Sequence, residues 1–200
     1  MRIGLYFGTF NPIHVGHLII ANAMAERDDL DQVWLVVTPQ NPFKKSDNLL
    51  EDYHRLALVK VAIDDNFQLR ASDIEFSLPK PSYTADTLVH LKERYPTHQF
   101  ALIMGEDNLR SLHRWKNYEV ILEAHKIFVY PRPITINELE NKIEAAQPEI
   151  LKHKNIVLTD SPVMKISSTT IRKRVKACLS VQYLVTEPVR TYIDEMNFYK

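Results

Sequence analysis

The sequence predicts a doubly wound α/β fold, a mostly parallel sheet with helices on both faces. Apolar runs of strand length recur at residues 3–7, 33–37, 100–104, 126–130 and 155–158. Helical patterns lie between them, near 16–27, 52–64, 83–94, 106–123 and 136–146. That alternation requires crossover connections, and crossovers make a sheet parallel and cover both of its faces. The chemically unusual residues fall in loops that follow strands, where open α/β sheets collect ligands.

The elements follow in order. Residues 3–7 form an apolar strand that runs into Gly8 and the turn Thr9-Phe10-Asn11-Pro12. In the first helix Leu18, Ile19, Ile20, Ala21, Ala23, Met24 and Ala25 are apolar and only Asn22 interrupts them. That face is too wide for a single stripe, so the helix is expected to be buried over most of its surface until Glu26-Arg27-Asp28 ends it in water. After the strand 33–37, residues 38–50 carry two prolines and little periodicity, which predicts a loop. Further loops are expected at 77–81 and 159–162, and Ser82 and Thr84 suit the start of the helix 83–94. The tail from Pro188 to Tyr199 reads as a short amphipathic helix that packs on the core or on a partner chain.

Two hundred residues fit one domain, 1–200, with a helical C-terminal part over about 166–200. Apolar residues make up 45% and charged residues 25%, and the formal net charge is zero, so nothing in the balance calls for nucleic acid or a membrane surface. The single cysteine excludes an internal disulfide and suits a reducing cytosol; Cys178 is expected as a small helical core residue. The first apolar run passes directly into Gly8 and Asn11-Pro12, so no signal peptide is expected, and no segment approaches the roughly 20 apolar residues of a membrane span. The expected location is the cytoplasm.

The first seventeen residues carry the most chemistry. A strand, a tight turn and a helix N-terminus form a ready anion site, because backbone N–H groups and the helix dipole point the same way. His14 and His17 are three apart and share a face if residues 14–17 open the helix. Gly8 and Gly16 allow close approach, and Pro12 shapes the turn. Two nitrogens are too few for a metal centre, so no protein-bound metal is expected. Near the other end, Ser167, Ser168 and Thr169 open a helix with hydroxyls and N–H groups, and Arg172 one turn on has the fork that grips phosphate oxygens. Lys165, Lys173 and Arg174 add positive charge.

Gly8-Thr9-Phe10-Asn11-Pro12-Ile13-His14-Val15-Gly16-His17 resembles the HxGH signature of the nucleotidyltransferase superfamily, in the form found in bacterial nicotinate-nucleotide adenylyltransferases. Ile166-Ser-Ser-Thr-Thr-Ile-Arg172 is similar to that superfamily's ISSTxIR motif, and Ser82-Tyr-Thr-Ala-Asp-Thr-Leu88 and Gly105-Glu-Asp-Asn-Leu109…Leu112…Trp115 agree in the middle. The matches keep this order from residue 4 to residue 172. The resemblance implies a Rossmann-like fold and transfer of an adenylyl group from ATP to nicotinate mononucleotide, giving the dinucleotide and pyrophosphate. It places ATP against Gly8, Thr9, Phe10, His14, His17, Asp107, Ser168, Thr169 and Arg172, with Mg²⁺ bridging ATP oxygens. It places the mononucleotide against Lys44, Thr84, Asp86 and Trp115, the threonine at the pyridine carboxylate and the indole stacked on the ring. His14, His17, Lys44 and Arg172 are then the catalytic charge stabilisers.

Some alternatives stay open at this level. The family ends a Pro-rich loop in a basic residue, commonly as PPHK, whereas this chain reads Pro39-Gln-Asn-Pro-Phe-Lys-Lys45, one residue shorter and without the histidine. Lys44 is favoured over Lys45. Asp107 either accepts ribose hydroxyls or caps a helix, and Arg55 and Arg132 are second candidates that suit ordinary salt bridges equally well. Nicotinamide mononucleotide, another HxGH acceptor, or a nucleotide sensor without turnover are the competing readings. Homo-oligomer formation is also open.

Overall fold

The computed structural model describes residues 1–40, 49–132 and 148–200. Six parallel strands form one sheet: β1 (Arg2–Gly8), β2 (Gln32–Val37), β3 (Leu69–Ser72), β4 (Gln99–Gly105), β5 (Ile127–Tyr130) and β6 (Ile156–Leu158). Their order is β3-β2-β1-β4-β5-β6, so the chain winds outward from β1 in one direction and then starts again on its other side at β4. This is the Rossmann-like arrangement that the sequence predicts, and its reversal lies between β1 and β4.

Alternation along the strands explains why both faces are covered. Val33, Leu35, Val37, Ala101, Ile103 and Phe128 pack on one side, against Ile20, Ala21 and Met24 of α1 (Val15–Ala25) and Leu58, Val59 and Ala62 of α2 (Asp52–Ala62). Ile3, Leu5, Trp34, Val36, Leu102, Met104, Ile127 and Val129 pack on the other. There they meet Leu88 and Leu91 of α3 (Thr84–Arg94), Leu109 of α4 (Glu106–Arg110), Ile121 and Leu122 of α5 (Tyr118–Ala124) and Ile150 of α6 (Pro148–Leu151). Side chains on a strand alternate between faces, so a continuous apolar run serves two cores at once.

Two further helices close the first face. α7 (Ser168–Lys176) contributes Ile171, and α8 (Glu187–Glu195) contributes Val189 and Ile193, all three buried with the α1–α2 core. The tail helix therefore packs on the core of its own chain, against α2. No described helix is long and apolar enough to cross a membrane.

Several sequence expectations are corrected here. The single helix expected over 106–123 is two, α4 and α5, separated by a 3-10 turn at Leu112–Arg114 and by Asn117 at φ 53°, a left-handed conformation that breaks a helix. Cys178 is exposed rather than core, because it follows the end of α7 at φ 54°, where the chain turns away. The expected helix at 136–146 lies outside the described residues. So do Lys44 and Lys45.

Candidate active site at the sheet reversal

The turn after β1 is built around the rings of its own residues. Phe10 is 1% exposed at φ 45°, and its ring lies on Gly8, where a Cβ would come within 2.8 Å of it. The other side of that ring meets His17 edge-on, with centroids 5.1 Å apart. His14 is the N-cap of α1 and His17 is three residues on, and their rings stack with centroids 3.6 Å apart and planes 20° from parallel. Gly16 makes room for this, since a Cβ there would lie 3.1 Å from Nδ1 of His14. The two glycines thus give space to Phe10 and His14, and neither has a positive φ.

Hydrogen bonds and burial set the state of the pair. The His14 backbone N–H donates to Nδ1 of His17 at 3.3 Å, which leaves the proton of a neutral His17 on Nε2. Nδ1 of His14 is buried and unpartnered. Burial, and next the Arg132 guanidinium, push the His14 imidazole down to about 4. His14 is accordingly neutral near pH 7 in the ligand-free protein. As a neutral ring it stabilises charge by hydrogen bonding, since it can donate or accept there.

α7 is fastened to the same turn. Ser167 is its N-cap, accepting from the Thr170 N–H at 3.1 Å. The Ser168 hydroxyl donates to the Pro12 carbonyl at 2.8 Å, and Nη1 and Nη2 of Arg172 donate to the Asn11 carbonyl at 2.8 Å and to the Thr169 hydroxyl at 3.2 Å. The two motifs, more than 150 residues apart, face each other across a cleft of about 820 Å³. Gly8, Thr9, His14, His17, Ser168, Thr169 and Arg172 line it, and so do Tyr6, Asn108, Tyr130 and Arg132. Its hydroxyls and the guanidiniums of Arg132 and Arg172 suit an anion.

Beside the cleft lies a smaller pocket of about 90 Å³, and the two share Phe7, Gly8, Thr9 and Asn108. Thr84, at the first turn of α3, and Trp115, just after the 3-10 turn, both line the small pocket. Thr38, Glu75, Ser82, Tyr83 and Lys116 complete it. A polar cleft opening into a tight pocket with an indole wall suits an anionic chain joined to a flat ring.

The cytidylyltransferase-like family model matches residues 5–174. A probable nicotinate-nucleotide adenylyltransferase of Flavobacterium johnsoniae is 57% identical over 200 residues, all of both chains. The corresponding protein of Flavobacterium psychrophilum is 55% identical over the same extent. The chain belongs to the nicotinate-nucleotide adenylyltransferase family. Its fold matches that of Plasmodium falciparum nicotinic acid mononucleotide adenylyltransferase complexed with NaAD, with a TM-score of 0.79 at 21% identity, covering 99% of this chain and 97% of that one.

Within this adenylyltransferase fold, the residues singled out from sequence separate into groups. His14, His17, Gly8, Thr9, Ser168, Thr169 and Arg172 meet at the cleft, and Thr84 and Trp115 meet at the pocket. Phe10 also lines the cleft, with its ring packed on Gly8 and His17. Asp107 does not line the cleft: its Oδ2 accepts from Nη1 of Arg132 at 2.5 Å and its Oδ1 lies buried over Gly105. Asn108, one residue on, lines both cavities and was not anticipated. Asp86 lies outside the small pocket and holds Lys116 Nζ at 2.9 and 3.0 Å. Lys173 and Arg174 are not among the cleft residues, and Arg174 ties off α7 by donating to the Ser180 carbonyl.

Arg55 is structural. Fully buried, it donates to the carbonyls of Thr9, Thr38, Pro39 and Leu50 and to Asp52, clamping the segments that follow β1 and β2. Arg132 makes the ordinary salt bridge that the sequence allows and also lines the cleft.

Proposed function

We propose that this chain transfers an adenylyl group from ATP to nicotinate mononucleotide. The observation that carries this is the junction of the two cavities at Gly8, Thr9 and Asn108, directly beside the stacked histidines. The 5′-phosphate of the mononucleotide attacks the α-phosphorus of ATP; a P–O bond forms there, and pyrophosphate leaves with the electron pair of the bond that breaks. The attacking phosphate is already ionised near neutral pH, so positioning and charge stabilisation make up the catalysis.

Roles follow from placement. Ser168, Thr169 and Arg172 hold the triphosphate, with Gly8 and the Thr9–Phe10 backbone beneath it. His14 and His17 donate to oxygens at the reacting phosphorus. Thr84 and Trp115 take the pyridine, and Asp86 contributes by holding Lys116 at the pocket rim. Asp107 acts on the ATP side by fixing Arg132. Lys44, the fourth charge stabiliser in this reading, lies outside the described residues.

Mg²⁺, carried by the triphosphate, would supply charge neutralisation there. Ser168, Thr169 and Arg172 on the cleft wall would hold the triphosphate that carries it. We also read residues 1–200 as one domain, because Ile171, Val189 and Ile193 of the C-terminal helices share the sheet's core.

Pyrophosphate release on mixing the protein with Mg-ATP and each candidate mononucleotide tests the reading. Release is expected with nicotinate mononucleotide and far less with nicotinamide mononucleotide. No release with either mononucleotide, or release from ATP alone at the same rate, overturns it.

A further inference from the structure

Two phenols line the large cleft and have no part in the reaction above. They are Tyr6 of β1 and Tyr130 of β5, and their hydroxyl oxygens lie 3.2 Å apart. β4 runs between those two strands. Gly105, the β4 neighbour of Tyr130, leaves room for the ring to lie over it, since a Cβ there would come within 3.2 Å of two ring carbons. The Tyr6 ring meets both Tyr130 and His17 edge-on, with centroids 5.9 and 6.1 Å apart. The pair therefore links the histidine turn to the segment that carries Arg132.

Two hydroxyls hold two protons, and the one bond between them uses one. The other proton needs an acceptor. Among the described residues neither hydroxyl has a second partner. Asp107 does not take it: its Oδ2 faces Arg132 and its Oδ1 is buried without a partner. Burial raises both phenols above their usual range, so both stay protonated near neutral pH. Tyr6 is 5% exposed and Tyr130 is half-buried. The deeper hydroxyl has most to lose without a bond, so Tyr6 donates to the Tyr130 oxygen and the Tyr130 proton is left for the cleft.

We infer that Tyr130 binds ATP: its hydroxyl, aimed by the bond from Tyr6, donates to an acceptor atom of the nucleoside. Tyr6 is then a positioning residue. The inference rests on the proposed reading of the cleft as the ATP site. Topology decides which end of ATP is involved. Ser168 and Arg172, which take the triphosphate in that reading, are tied to Pro12 and Asn11 in the turn after β1. Tyr130 stands two strands away from β1, on β5. With the α-phosphate at the histidines, the triphosphate runs toward α7 and the nucleoside toward β5. Ribose oxygens and purine ring nitrogens can each accept the phenol proton.

The test compares Tyr6→Phe with the double variant that adds Tyr130→Phe. Both lack the mutual bond and neither leaves the deep O–H without a partner, so the two differ by the Tyr130 hydroxyl alone. KM for ATP is expected to be at least about fivefold higher in the double variant, the loss of one net hydrogen bond. KM for nicotinate mononucleotide is expected to differ by less than about twofold between them. Among inhibitors that compete with ATP, adenosine is expected to weaken by the same factor, and tripolyphosphate to keep its inhibition constant. A purely structural pair would instead give both variants the same KM for ATP, and that result overturns the inference. So does an equal rise for both substrates, or a tripolyphosphate constant that rises while that of adenosine does not. If the double variant does not fold, Tyr130→Phe alone is compared with Tyr6→Phe by the same criteria. Absence of wild-type turnover with both mononucleotides would instead remove the reading on which the inference rests.

Discussion

The Tyr199 hydroxyl donates to Oδ1 of Asn11 at 2.8 Å, joining the penultimate residue of the chain to the loop that carries His14. The same oxygen accepts the Leu50 N–H at 3.3 Å, and Arg172 holds the Asn11 carbonyl. Asn11 is 4% exposed, so this bond counts more than one at the surface would. Tyr199→Phe is expected to lower stability by about 1 kcal/mol, and the melting temperature by about 2–4 °C, in a thermal unfolding scan. An unchanged melting temperature would mean that the strap carries no load.

His14 couples the site to acid stability. Its folded-state value of about 4 lies below the 6.5 of an unperturbed histidine. The unfolded chain therefore binds the proton first, and the contribution of His14 is fully present above about pH 6.5 and is lost as pH falls through about 4. The whole effect is on the order of 3 kcal/mol. Urea midpoints at about pH 7 and about pH 4.5 are expected to differ less for His14→Gln than for the wild type.

Gly16→Ala separates fold from catalysis. The new Cβ would press on the His14 ring at 3.1–3.2 Å, so the stacked pair must shift by a few tenths of an ångström. Alanine is also the better helix former, which offsets part of the strain. The expected result is a kcat lower by about tenfold with little change in melting temperature.

Trp115→Ala is expected to raise KM for the mononucleotide by roughly tenfold or more, the loss of about 1–3 kcal/mol of ring stacking, with KM for ATP unaltered. Initial rates with each substrate varied in turn distinguish this from general damage. An equal rise in both values would place the indole elsewhere in the mechanism.

The sheet and the two phosphate motifs were legible because each rests on local pattern. Strands such as 33–37 are apolar on both faces, and the HxGH and ISSTxIR segments carry their chemistry in adjacent residues. β3 was missed because Leu69-Arg-Ala-Ser72 is short, lies at the sheet's edge and has no apolar run. The break between α4 and α5 was hidden because Asn117 adopts a left-handed φ that residue type alone does not announce. Asp107, from its place after β4, reads as a ribose acceptor or a helix cap, yet the partner that takes it, Arg132, follows β5 and is brought near only by the sheet. Glu75 had a faint signal, an acid between Ile74 and Phe76, but its burial depends on Thr87 from another element.

The central claim is that the stacked histidines stabilise charge at the reacting phosphorus and do not merely build the loop. His17→Ala tests it most directly, with steady-state rates for both substrates. Removing one preorganised donor is expected to lower kcat by about 10²–10³, with KM for the mononucleotide held within about threefold. A His17→Ala protein that folds and keeps the wild-type kcat would contradict the account.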